Sequence, residues 1–274
     1  MKKKIGVLDF GYFNPDHNNT IELINFTFDF VKHLKKQNFS RYWMAEHYND
    51  FCSWTNPEIL LTVLAGMTER INIGAAGILA YFHSPYRVAT AFKMIATLFP
   101  HRIDLGIAKG NVHPHMVRHL LGTDKIPDRV FKENELNLLE YLYNHNLYDV
   151  EDKMIPLPPY GGGNPRPWTL GTSLNSASNS IKLGTNFSLS LFHEKKNLSE
   201  YRDIWKRYIE EKNKKNLNNL LGNIAIEYTA ISDLRALKAL ATESKITYNN
   251  PNSLKIIGEP SYCEDKLFKY FEVF

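Results

Sequence analysis

The chain has 274 residues, 43% hydrophobic and 13% aromatic, enough for one large core, so its length forces no division into two domains. Its 33 basic and 29 acidic residues leave a net charge of +4, and the like-charge runs Lys2 to Lys4 and Lys212 to Lys215 are short, which sets aside a dense basic nucleic-acid footprint. Two isolated cysteines, Cys52 and Cys263, support neither a disulfide framework nor a zinc site and fit a reducing cytoplasm.

The first apolar run, Ile5 to Phe10, reads as a strand. Asp9, Asn14, Asp16 and His17 break it before a signal peptide can form, and no later stretch reaches the roughly 20 apolar residues that span a bilayer. The expectation is a soluble, cytoplasmic protein with no membrane partner. A helix follows from about Thr20, with Ile21, Ile24, Phe28 and Val31 at three- and four-residue steps. Arg41 to Ala45 is the second strand. Asn56-Pro57 then opens a helix, with a polar cap and proline at the first helical position. Ile71 to Leu79 is the third strand, Pro85 to Leu98 the third helix and Arg102 to Ala108 the fourth strand. Asp128 to Asn144 is helical. The prolines and glycines from Pro156 to Pro167 mark an irregular loop.

The alternation resumes with a strand at Trp168 to Gly171, a helix around Ser176 to Leu183 and a strand at Phe187 to Phe192. Asn197 and Glu200 form a capping-box pair ahead of a helix whose buried face is Ile204, Trp205, Tyr208 and Ile209. Ile224 to Ile231 is the seventh strand, and helices follow near Leu234 to Ser244 and Glu264 to Phe271. Strands alternating with helices predict a parallel sheet with helical crossovers, and seven such units favour a TIM-type (β/α)8 barrel over an open doubly wound sheet. The whole of residues 1–274 reads as one barrel domain.

In such a barrel, chemistry collects where strands end. The second strand ends in Glu46-His47, an acid/base candidate near neutral pH because histidine titrates there; a local structural hydrogen bond is the alternative. The third strand runs through Gly74-Ala75-Ala76-Gly77. Four small residues imply close approach of something to the backbone, either a flat ring or a crowded neighbouring element. Lys109, after the fourth strand, is either an anion partner or a solvated lysine. Gly171-Thr172-Ser173 followed by Asn175, Ser176, Ala177 and Ser178 forms either a phosphate cradle at a helix start or an ordinary cap. His113, His115 and His119 lack a carboxylate at ligand spacing and read as a loop and helix face, so no metal site is expected.

Taken in order, these segments resemble the bacterial-luciferase-like family of flavin-dependent oxidoreductases. Arg41-Tyr42-Trp43-Met44-Ala45-Glu46-His47 is similar to the family's second strand. Thr68 to Gly74, His83-Ser84-Pro85-Tyr86-Arg87 and Pro100 to Gly106 are similar to the next junction, loop and strand. Gly171-Thr172-Ser173 with Ser176-Ala177 resembles the loop that holds the cofactor phosphate, and Ile257-Gly258-Glu259-Pro260 resembles the turn before the seventh helix. The likeness covers most of residues 3 to 271.

The resemblance implies a flavin, FMN, with a deazaflavin as alternative. It places a non-proline cis peptide at Ala76-Gly77, so that Ala75, Ala76 and Gly77 lie beneath the ring. Thr172, Ser173, Ser176 and Ala177 are assigned to the phosphate, with Lys109 as a point charge. His47 becomes the catalytic histidine, supported by Glu46. The implied reaction is either monooxygenation or hydride-transferring reduction of a small organic or biosynthetic substrate. A flavin reductase is the implied partner, in a homo- or heterodimer. The family pattern continues with an eighth strand and helix, here truncated, with Glu272-Val273-Phe274 as the first residues of that strand. That departure keeps a second reading open: a non-catalytic flavin-binding protein or the supporting subunit of a heterodimer. Residues expected to select the substrate include Phe10, Tyr12, Asn111 and His193.

Overall fold

The computed structural model describes residues 4–13, 19–49, 51–110, 112–123, 127–243 and 247–274. Lys2, Lys3, Asn14, Asp16, His17, Asn111 and Ser244, all used in the sequence reading, lie outside the described residues. The chain divides into two compact units, the first ending at Trp168 and the second beginning at Thr169.

The first unit opens with β1 (Gly6–Asp9), α1 (Thr20–Lys36), β2 (Arg41–Met44), α2 (Pro57–Gly66), β3 (Asn72–Leu79), α3 (Pro85–Leu98) and β4 (Ile103–Ala108). Each strand pairs in parallel with the next, so sheet order is chain order. That is the topology of a (β/α) barrel; a doubly wound sheet reverses its order part-way. Asn19 caps α1 in a reciprocal box with Glu22. Ser84 caps α3 and Pro85 occupies its first turn. Asn56 precedes α2, yet its side chain makes no capping bond and donates to Thr55 Oγ1 instead.

Arg102 fixes the α2–β3 junction to β4 by donating to the carbonyls of Ala65, Thr68 and Ile71 and to Thr68 Oγ1. α4 (Pro114–Leu121) and α5 (Asp128–Tyr143) follow, then an antiparallel pair, β5 (Leu147–Tyr148) and β6 (Met154–Ile155), ahead of the loop read as irregular. β7 (Arg166–Gly171) begins in this unit and ends in the next.

In the second unit, α6 (Leu174–Leu183), β8 (Asn186–Ser190), α7 (Leu198–Lys214) and β9 (Gly222–Ala225) continue the alternation. Phe187 and Leu189 of β8 pack against Tyr201, Ile204 and Tyr208 of α7, and the Asn197–Glu200 capping box forms as read. β10 (Tyr228–Ala230), α8 (Leu234–Glu243), β11 (Ile256–Gly258) and α9 (Pro260–Val273) complete it.

Two expectations change here. The single strand Ile224 to Ile231 is two strands, because the chain changes partner within it. The Ala225 carbonyl accepts from Leu191, whereas the Glu227 carbonyl accepts from Ile256, and the Glu227 carboxylate meets Lys255 at 2.9 Å. β9 therefore pairs with β8, and β10 pairs in parallel with β11. Glu272 and Val273 do not begin a strand: they are the last turn of α9, held by the buried Tyr270 and by a bond from the Phe274 amide to the Tyr270 carbonyl.

Candidate active site

The Ala45 amide donates to the Asp9 carbonyl, carrying the β1–β2 ladder one residue past β2 and delivering Glu46 to the strand end. Glu46 is 1% exposed. Its Oε2 accepts from the Leu79 amide at 2.9 Å, and its Oε1 lies 2.7 Å from Nε2 of His83. A buried carboxylate survives at such a place because donors replace its water. Burial alone would lower the proton affinity of His83, but the hydrogen bond and charge of Glu46 outweigh it and hold the imidazole above its ordinary range. Tyr48 joins the cluster: burial first, then Glu46, keeps its hydroxyl protonated well above the usual phenol range.

His47 is half-buried. Its amide donates to the Trp54 carbonyl, its ring meets Phe10 edge-on at 5.0 Å, and Nδ1 lies 3.4 Å from Asn49 Nδ2. Burial pushes its proton affinity down, with Glu46 opposing, so the neutral imidazole is favoured. Two histidines around one carboxylate are thus displaced in opposite directions, an arrangement that separates acid and base roles.

Across β3, Ala75 and Ala76 are buried, the register with β4 shifts between Ala75 and Ile78, and the Ala76-Gly77 peptide is cis. Gly74 has a simpler reason: a Cβ there would lie 2.4 Å from the Asp104 carbonyl oxygen, so the neighbouring strand requires glycine. Lys109 places its ammonium 5.9 Å from the centre of the Tyr81 ring. Gly110 beside it has a φ of +70°.

In the second unit, β7 turns into α6 through Thr172 and Ser173. Ser173 is the N-cap, accepting from the Ser176 amide at 3.2 Å, and the two hydroxyls lie 2.9 Å apart. A Cβ on Gly171 would sit 2.3 Å from Ser176, so glycine permits this close approach. Ala177 is buried behind the cap. Within their own units, then, the structure groups Glu46 with His83, Leu79 and Tyr48, and groups Thr172, Ser173, Ser176 and Ala177 at one helix start.

Sequence reasoning treated His83 as part of a matching loop and missed its pairing with Glu46. Its place just before the Ser84-Pro85 helix start, at a β/α junction, is the signal that points to it. Asp9 was likewise read only as an interruption. Its carboxylate accepts from the Gly11 amide, the Tyr42 hydroxyl and Trp54 Nε1, fixing the loop after β1 beside Phe10. His113 caps α4, which the sequence left partly as loop, and its Nδ1 lies 2.6 Å from that of His115. Among the described residues, no group of three or more histidine, cysteine or acidic side chains is arranged to hold a metal, and no helix is long and apolar enough to cross a membrane.

Residues 4–139 match the family model of the luciferase-like monooxygenases. A luciferase-like monooxygenase of Escherichia coli (strain K12) is 31% identical over 183 residues, covering 64% of this chain and 52% of its own. The N-acetyl-S-alkylcysteine monooxygenase of Bacillus subtilis (strain 168) is 32% identical over 164 residues, covering 56% and 47%. The match to this chain spans about half the length of these curated relatives.

Among solved structures, apo-MsnO8 superposes with a TM-score of 0.77 at 18% identity, over 98% of this chain and 89% of that one. The oxygenating constituent of 3,6-diketocamphane monooxygenase from the CAM plasmid of Pseudomonas putida, a type II Baeyer-Villiger monooxygenase in complex with FMN, gives 0.71 at 15% identity, over 98% and 88%. An F420-dependent secondary alcohol dehydrogenase in complex with an F420-acetone adduct gives 0.74 at 12% identity, over 100% and 91%. These likenesses establish the luciferase-like TIM-barrel fold. Through residues 4–139, the chain belongs to the luciferase-like monooxygenase family.

Proposed function

We propose that this protein is a cytoplasmic flavin-dependent oxidoreductase whose single domain spans residues 1–274, with FMN as cofactor and monooxygenation of a small organic molecule as its reaction. The observation that carries the reading is the strand-end cluster in which buried Glu46 is saturated by donors while the adjacent His47 is held neutral and half-exposed. Glu46 orients; His47 offers a ring nitrogen that accepts or returns a proton at the substrate.

The residues present fit the cofactor. Ala75, Ala76 and Gly77 are small residues where the β3–β4 register shifts, and their lack of bulky side chains would leave room for a flat ring. Ser173 and Ser176 bring hydroxyls to a helix N-terminus, where first-turn amides and the helix dipole favour an anion such as a phosphate. Thr172 and Ala177 flank them, and Lys109 adds positive charge after β4. When bound, FMN would supply the electron pair for reaction with dioxygen. The reduced flavin would come from a separate reductase, and the working form would be a dimer, homo- or heteromeric.

A deazaflavin reductase is the second reading, favoured by the likeness to the F420-dependent dehydrogenase. Anaerobic titration with FMN, reduced FMN and a deazaflavin, followed by absorbance and fluorescence, separates the two. His47→Ala should keep cofactor affinity and lose turnover. A folded protein that binds none of the three overturns the proposal in favour of a supporting subunit, and turnover indifferent to His47→Ala removes His47 from the chemistry.

A further inference from the structure

We propose that His83 is a positioning residue that acts through Glu46, anchoring the buried carboxylate, tying the end of β3 to the end of β2, and balancing the charge that Glu46 presents to His47. The inference rests on the reading of His47 as the group that meets substrate.

Glu46 belongs to the segment after β2, Leu79 is the last residue of β3, and His83 stands just before α3. One carboxylate with a fully buried side chain joins all three: Oε2 to the Leu79 amide at 2.9 Å and Oε1 to His83 Nε2 at 2.7 Å. The His83 side chain is 23% exposed, with its Nε2 committed to Glu46. Without that contact the carboxylate would keep the Leu79 amide and the Tyr48 hydroxyl but lose its cationic partner.

His47 follows Glu46 in the chain and feels its charge. When protonated, His83 at 2.7 Å from Oε1 offsets that charge. Among the described residues, Glu58 acts on His83 and Tyr48, Asn49 and Phe10 meet the His47 ring, and the Trp54 carbonyl accepts from the His47 amide. Burial favours loss of the proton from His47, whereas the Glu46 hydrogen bond and the charges of Glu46 and Glu58 favour its retention on His83.

The test is an NMR pH titration of 15N-histidine-labelled protein without cofactor, following the ring nitrogens of His47 and His83. His83→Gln should shift the His47 midpoint upward, because Glu46 then acts on it unbalanced. His83→Lys, which restores a cation, should bring it back. Glu46→Gln should shift both midpoints downward. The proposal is overturned if His47 titrates unchanged in a folded His83→Gln protein, or if the glutamine and lysine variants shift it equally. Should His83→Gln fail to fold, an unmoved His47 midpoint in Glu46→Gln overturns it as well. FMN titration of the same wild-type sample tests the cofactor reading separately: failure to bind would sink that reading and leave the histidine result standing.

Discussion

Trp43 and Trp168 meet edge to face at 5.0 Å, and their indole nitrogens donate to opposite oxygens of Asp104, at 3.0 and 3.1 Å. Arg41 adds a bond at 2.8 Å and lays its guanidinium over the Trp168 ring, and Arg166 reaches the same carboxylate at 3.0 Å. Asp104 is completely buried near the start of β4, the end of a barrel strand that serves stability more than chemistry. Asp104→Asn removes the counter-charge of two arginines and turns an amide N–H toward existing donors. The expected loss is about 3 kcal/mol, read from urea unfolding midpoints, with cofactor affinity per folded molecule unchanged.

Lys93 is a second buried charge with a different solution. It lies inside α3 at 0% exposure, and its ammonium donates to the carbonyls of Tyr141, Asn144 and Leu157. Tyr141 and Asn144 stand at the end of α5, where carbonyls lack helical partners and a cation is favoured. Burial pulls its proton affinity down. Lys93→Met keeps the aliphatic length and orphans those carbonyls, so it should destabilise the protein by roughly 2 kcal/mol in the same unfolding measurement.

The two site histidines oblige stability to depend on pH with opposite signs. His83, raised in the folded state, contributes fully below the ordinary histidine value and loses that contribution as pH rises through its folded value. His47, lowered, contributes fully above the ordinary value and loses its contribution as pH falls through its folded value. Together they favour a maximum near the ordinary histidine value, about 6.5. Urea midpoints from about pH 5 to 9 should show His83→Gln closing its gap to wild type on the alkaline side. A gap independent of pH would contradict the assignment.

Ser173 carries both a structural and a proposed binding role, and the two are separable. As N-cap of α6 its loss to alanine should cost about 1 kcal/mol of stability. If the hydroxyl also meets the cofactor phosphate, Ser173→Ala should weaken FMN about tenfold, the size of one lost hydrogen bond to a charged group. Riboflavin, which has no phosphate, should bind both proteins alike. Equal weakening of the two ligands would remove Ser173 from the phosphate site.

The features legible from sequence alone were those made by near neighbours. Asn197 with Glu200 forms a cap three residues apart, and the apolar periods of α1 and α7 follow from chain geometry. The pairings that shape the candidate site reach much further: 37 residues from Glu46 to His83, and 64 from Asp104 to Trp168. No local spacing encodes such partners, so His83 passed as one member of a loop and Asp104 as an ordinary strand residue. The change of partner between Ala225 and Glu227 was hidden for the same reason, since the Ile256 amide that donates to the Glu227 carbonyl arrives from a later segment.

By itself the sequence determined the alternation of strands and helices, most of the helix starts, and the ordered segments, the Glu-His pair after β2 among them, that carry the family resemblance. The tertiary structure decided what those residues face: that Glu46 is buried against Leu79 and His83 while His47 stays half-exposed beside Phe10. Hydrogen bonds within a turn are fixed by local backbone geometry, but the protonation of a side chain depends on whatever the whole fold brings within a few ångströms of it.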